Sequence, residues 1–355
     1  QALVETCDDL LEAAADLQNG DVTIYMTTFA DILCDNFTTF NITQNHLRVL
    51  SEDPDSPYGG YVRLERGRFQ VFGSAQLTWE PELRINGFDE LQDVNGGAIY
   101  IHEGGRARFL DDLTVVDVGV RSVTDEGSDF ARYQLQGGCV WTAGYLRVEG
   151  LAVFEHCEVG GGGESSPGPG GAIYVDEEGF VVLNGGVEIS DVSIIDDEGN
   201  NGGGIYNKGT VNIRGESKFN ALYAESAGAI YNAEGAFFRF KSGATVIFSQ
   251  CNSFDGNAGS VYNAGYMKFS GAALFADGRS EYRGGAIVVG SSGELKIAEE
   301  SVFFHIETNG DIGAPVYVSS GGQMNIPDTI LFIGTSDEDT VCEGVYFEEG
   351  EACET

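Results

Sequence analysis

Residues 96–101 read GGAIYI, and the same six-residue pattern keeps returning along the chain. It recurs as GGAIYV from Gly170, GGGIYN from Gly202, AGAIYN from Ala227, AGSVYN from Ala258 and GGAIVV from Gly284. Weaker copies are GGCVWT from Gly137 and GAPVYV from Gly313. The fifth positions are Tyr100, Trp141, Tyr174, Tyr206, Tyr231, Tyr262, Val288 and Tyr317, separated by 25 to 41 residues. A recurring unit of this size marks a solenoid, and its irregular length marks variable loops set into a fixed coil.

Most copies lead through a glycine into a short alternating run: GRARF (105–109), GYLRV (144–148), GFVVL (179–183), GTVNI (209–213), GYMKF (265–269) and GELKI (293–297). A third run carries Phe154, Ile189, Phe219, Phe248, Phe275 or Phe303. Three period-two strands joined by glycine turns make one coil, with no helical period between them. The expectation is an all-β, single-stranded, right-handed parallel β-helix of three strands per coil and about nine or ten coils. In each coil the aliphatic residue should point inward and the aromatic outward. The paired small residues sit where a side chain would collide with the next coil. Equivalent residues should stack as ladders, among them the inward Phe/Ile row and Asn207, Asn232 and Asn263 at the turn.

The chain begins differently. TCDDLLEAAADLQNG (6–20) places Thr6 and Asp9 at capping-box spacing and Cys7, Leu10, Ala14 and Leu17 on one helical face. Such an N-terminal capping α-helix covers the open end of a solenoid core and blocks edge-to-edge stacking. The whole chain reads as one domain: the cap helix within 1–20, coils over 21–340, and a terminal cap over 341–355.

Hydrophobic residues make up 42% of the 355, enough to build a core, while 56 acids against 19 bases give a net charge of −37. That surface repels nucleic acid and anionic membranes. No run of about 18 apolar residues is present to span a bilayer. The chain opens at Gln1 without Met, as a processed secretory protein would. Seven cysteines follow no metal-binding spacing. Cys7 with Cys34, and Cys342 with Cys353, read as disulfide staples at the two ends, formed in an oxidising compartment. Cys157 and Cys251 occupy equivalent points of coils about three apart, too distant to bridge, and read as buried free thiols. Asn36 and Asn41 head N-glycosylation sequons. Together these signs place the protein outside the cell, secreted or at the cell surface.

The cap helix and GGAIY coils resemble pectin-lyase-type right-handed β-helices, and more narrowly the repeats of polymorphic outer-membrane proteins and related surface adhesins. Those repeats combine Gly-Gly-Ala-Ile with Phe-x-x-Asn, and Phe254–Asn257 reads FDGN. The resemblance spans about residues 1–340 and implies a coil rather than an activity. Many members of the wider family are polysaccharide lyases, hydrolases or epimerases. The clustered aspartates, Gly-His-Gly and Arg-Ile-Lys of the glycosidase members are missing from this sequence.

Acid pairs such as Asp111–Asp112 are expected from composition alone. The four histidines, His46, His102, His156 and His305, fall in different coils with no shared ladder, so no metal or catalytic base is assigned to them. The acidic loops at 176–179 and 196–200 offer oxygens of the kind Ca²⁺ takes, yet match no calcium motif and read as solvated turns. No cofactor is expected.

Two outward stripes remain. One is aromatic, with Tyr174, Tyr206, Tyr231 and Tyr262 at its centre, suited either to sheet stabilisation or to stacking on sugar rings. The other is basic: Arg108, Arg147, Lys268 and Lys296 occupy the outward middle of the alternating run, joined by Arg239 from the intervening coil. Like charges about 4.8 Å apart repel unless acids or a bound anion lie between them. The long segments 51–58, 123–136 and 160–171 should line one edge of the solenoid as binding loops.

The resulting expectation is a non-catalytic extracellular structural or adhesive protein. Its partner would be another surface protein, its own copies or an anionic polysaccharide. The alternatives are a polysaccharide lyase or epimerase, and a subunit of an extracellular filament.

Overall fold

The computed structural model describes residues 2–26, 29–52, 61–92, 96–121, 136–160, 170–195, 201–309, 315–325, 327, 330–333 and 345–348. The chain is a parallel β-solenoid of about nine turns, with less complete coils at its ends. The GGAIY strands form a first face, the alternating runs a second, and the Phe/Ile runs a third. The second face is a ladder of twelve parallel strands from Ala2–Val4 to Gln323–Asn325. The first and third faces join into one hydrogen-bonded network, because the early strands Phe29–Ile42 and Tyr61–Val71 run across both. Register is unbroken through all eight copies of the motif: Tyr100 pairs with Trp141, then Tyr174, Tyr206, Tyr231, Tyr262, Val288 and Tyr317 in turn.

The small-residue pair has two separate causes. Its first member adopts positive φ in coil after coil, from Gly96 at 60° through Gly202 at 71° to Gly284 at 61°. Ala227 and Ala258 take the same conformation at 58° and 63°. The second member is glycine because the neighbouring coil passes over it. A Cβ on Gly97, Gly138, Gly171, Gly203, Gly228 or Gly259 would meet the carbonyl oxygen of the equivalent glycine one coil on, at 2.5 Å for Gly228 against Gly259.

Inside, the rows are continuous. Phe219, Phe248, Phe275, Phe303 and Phe332 stack with ring centroids 4.7–4.9 Å apart. Asn207, Asn232 and Asn263 are fully buried, and each amide donates to the next, at 2.8 and 2.7 Å. Their second N–H bonds reach the backbone carbonyls of Phe237, Tyr266 and Glu294, so the polar row within the core is satisfied.

A further row emerges on the third face. Two residues beyond each Phe/Ile position the backbone turns to positive φ: Asp117, His156, Asp191, Ala221, Gln250, Asp277 and His305 lie between 48° and 55°. The registers on either side align them one above another. Each is a one-residue bend that turns the strand towards the next corner.

The cap helix forms over Cys7–Asp16 with both hydrogen bonds of the Thr6/Asp9 capping box, and buries Leu10, Ala13 and Ala14. Leu17 follows them into the core, and the Cys7–Cys34 disulfide ties the helix to the strand Phe29–Ile42. The end is more elaborate than expected, since strand Ala2–Val4 precedes the helix and pairs with Val22–Met26. Cys342 and Cys353 lie outside the described residues.

One cysteine expectation is overturned. Cys157 is not a free thiol but bridges to Cys139, with Cα atoms 5.5 Å apart. Cys139 fills the alanine position of its GGAIY copy, whose inward side chain faces the Cys157 row across the corner between third and first faces. Cys251 shares that row with Cys157. The equivalent of Cys139 in its coil is Ala229, so Cys251 stays reduced and buried, and burial pushes its thiol up to about 12.

Two predictions follow from the corner geometry. Gly228→Ala should lower stability by about 1–3 kcal/mol through overpacking, whereas Ala227→Gly, one residue away, should change it by less than about 1 kcal/mol because it relieves a left-handed alanine. Urea unfolding of the two variants separates these outcomes. In the second, Ala229→Cys should close a bridge to Cys251, so that peptide mapping finds Cys251 protected from alkylation after denaturation; a free Cys251 would contradict the coil register.

Candidate functional site

The basic residues form one row on the second face. Arg108 pairs with Arg147, and the row continues through Val182, Asn212, Arg239, Lys268 and Lys296 to Asn325. Its two halves are electrostatically different. In the first, Arg108 and Arg147 share Glu149, each at 2.7 Å, and Asn184 donates to the same carboxylate at 2.6 Å. Partial burial works against the Glu149 charge, but the donors on Arg147, Asn184 and Arg108 outweigh it and hold the carboxyl at about 2.

In the second half Lys296 pairs with Glu294, while Arg239 and Lys268 have no carboxylate partner among the described residues. Sequence reading missed two neighbours, Arg214 and Lys241. Each follows the last residue of its second-face strand, the position held by Glu149 and Asn184 in earlier coils, and each donates its backbone N–H to the coil before. These two also lack an ion-pair partner among the described residues. The four cations thus sit two by two in adjoining rows. Partial burial and the charges of Arg239, Arg214 and Lys268 together push the Lys241 ammonium below its usual range. The signal was in the sequence, at the residue after each alternating run.

Beside the cations runs a row of outward aromatics. Tyr145 stacks on Phe180, and Phe237 lies 6.0 Å from Tyr266. Arg239 sits over both Phe237 and Tyr266, at 5.7 and 5.4 Å, and Lys296 over Tyr266 at 5.4 Å.

On the first face Tyr174, Tyr206, Tyr231 and Tyr262 are stacked on one another 4.8–5.4 Å apart and nearly parallel. Their ring faces are taken up by neighbouring rungs, so edges and hydroxyls are what the row presents. Tyr174 is only 1% exposed. Burial is the largest cause pushing the Tyr174 and Tyr231 phenols up.

Asn41 is exposed, and it precedes Gln70 and Tyr100 in the outward row of the first face. The Asn36 side chain lies outside the described ones, as do residues 196–200. The three long segments are largely outside them too, but their flanking strands correct one expectation. Residues 53–60 connect the second face to the third, whereas 122–135 and 161–169 connect the third to the next first face, so two of the three share an edge. The histidines are corrected as well: His156 and His305 share the left-handed row of the third face.

No helix among the described residues is long and apolar enough to cross a membrane. The two disulfides are compatible with an extracellular or secreted protein. No protein-family model, no curated protein and no solved structure matches the chain.

Glu149 supplies a pH test. Its carboxyl is depressed on folding, so its stabilising contribution is complete above the ordinary glutamate value of 4.5 and fades as pH falls towards about 2. Glu149→Gln should cost about 1–2 kcal/mol at pH 7, and the gap to the parent should narrow between pH 4.5 and 2. Thermal unfolding of both proteins across that range checks it.

Proposed function

We propose that this is a non-catalytic, extracellular structural or adhesive solenoid that binds an anionic polysaccharide along its second face. One observation carries the reading: Arg214, Arg239, Lys241 and Lys268 lie together without a carboxylate partner among the described residues, on a chain of net charge −37. With 56 acids available, neutralising them internally would be easy, as Glu149 does for Arg108 and Arg147. Leaving them unpaired costs mutual repulsion that a bound polyanion removes.

The aromatic row favours a sugar polymer over an acidic peptide. Phe237 and Tyr266 offer apolar surface for pyranose rings, and the adjoining cations meet carboxylate or sulfate groups. Coils repeat about every 4.8 Å along the axis, so a linear chain lying along the row meets several cations in succession. The likeness of the coils to the GGAI and Phe-x-x-Asn repeats of surface adhesins supports placement at a cell surface. So does an accessible sequon at Asn41, which we take to be glycosylated.

The test uses immobilised sulfated and carboxylated polysaccharides. The parent should bind in low salt and release between about 0.1 and 1 M, where the screening length falls from about 10 to 3 Å. Changing Arg239→Glu together with Lys268→Glu should abolish retention while leaving the unfolding transition in place. Retention equal to the parent's would reduce the row to a structural ladder.

A further inference from the structure

We propose that Glu155, His156 and Asp191 form a binding site for a divalent transition-metal ion of the zinc class on the outside of the third face. This site is independent of the second face. It arises from the left-handed row, in which Asp117, His156 and Asp191 occupy consecutive coils. Because His156 has positive φ, Glu155 and His156 both face outward rather than alternating, and Asp191 stands one rung further along. One ligand atom from each of Glu155, His156 and Asp191 lies within 4.8 Å of the others. Ligands of a tetrahedral zinc ion, bound at about 2.0–2.2 Å, are separated by roughly 3.3 Å. The three ligand atoms would thus have to draw closer together around the ion than the 4.8 Å limit within which they lie here.

Asp117 supplies what distinguishes this cluster from an ordinary acidic surface. Its Oδ1 lies 3.0 Å from Nδ1 of His156. A carboxylate on one ring nitrogen fixes the tautomer, orients the ring and leaves the lone pair on Nε2, the arrangement that supports histidine ligands of metals. Neither Glu155 nor Asp191 has a basic side chain in ion-pair contact among the described residues. The site therefore gathers three carboxylates and an imidazole in a strongly negative protein, and a dication relieves their repulsion. An imidazole with carboxylates selects zinc, nickel or copper over calcium and magnesium, which take oxygen alone. His305 is a built-in comparison. It occupies the same row beside Asp277, with Nδ1 3.6 Å from Oδ1, but among the described residues no third ligand joins that pair.

The experiment is calorimetric titration of the intact, disulfide-bonded protein with zinc chloride at pH 7.5, with thermal unfolding read in parallel. One equivalent should bind and raise the unfolding temperature. His156→Gly keeps the backbone conformation, because glycine accepts positive φ, and should abolish both effects. Asp191→Asn and Asp117→Asn should each weaken binding by about tenfold or more, and His305→Gly should leave it unchanged. Calcium at the same concentration should not displace zinc. The proposal is overturned if the parent shows no saturable binding, if His156→Gly binds like the parent, or if calcium displaces the zinc.

Discussion

Every row in this molecule depends on how closely one coil passes the next at the corner between the third and first faces. There the backbone carbonyl of one glycine occupies the space that a Cβ on its neighbour would need, and the same contact repeats from Gly97 to Gly259. A close approach of this kind admits one register only. A slip by one residue would bring a side chain onto a carbonyl at each corner and turn the inward rows outward. The loops can therefore vary from coil to coil while the strands stay aligned.

Alignment at about 4.8 Å makes each outward or inward residue the neighbour of its own equivalents. Side chains that attract copies of themselves are then favoured: phenylalanine inside, tyrosine outside, and asparagine where one amide can donate to the next. Charge is the exception, because a row of equal charges repels by about 1 kcal/mol per neighbour even at the dielectric constant of water. The two halves of the basic row show both responses to that cost. Glu149 neutralises Arg108 and Arg147, while Arg239, without a carboxylate partner among the described residues, lies over the Phe237 and Tyr266 rings instead.

What was legible in the sequence were the features that recur. The GGAIY copies, the alternating runs and the Phe/Ile positions gave the three faces, the inward asparagine row and the line of Arg108, Arg147, Arg239, Lys268 and Lys296. The capping box and the Cys7–Cys34 pair were legible because their spacing is local. What escaped were contacts between different rows, which no single periodicity contains. Cys139 falls within the weaker repeat copy GGCVWT, and only the corner sets it opposite Cys157. Arg214 and Lys241 lay one residue past the runs that had been aligned. His156 and Asp191 are 35 residues apart in sequence and one coil apart in space, and their meeting depends on a backbone bend that side-chain patterns do not encode.

The bend row also explains why polar groups collect there. A residue at positive φ costs about 1 kcal/mol or more unless it is glycine, and asparagine, aspartate and histidine bear that cost best. Aspartate or histidine fills five of the seven described bends from Asp117 to His305. Their placement thus has a conformational origin, and stacking then brings unlike members of the set, an imidazole and two carboxylates, to adjacent rungs. Ligand-like clusters on a solenoid need not be assembled residue by residue. They arise wherever a backbone position restricts the residue choice to a few polar types and the coil repeat sets those types side by side.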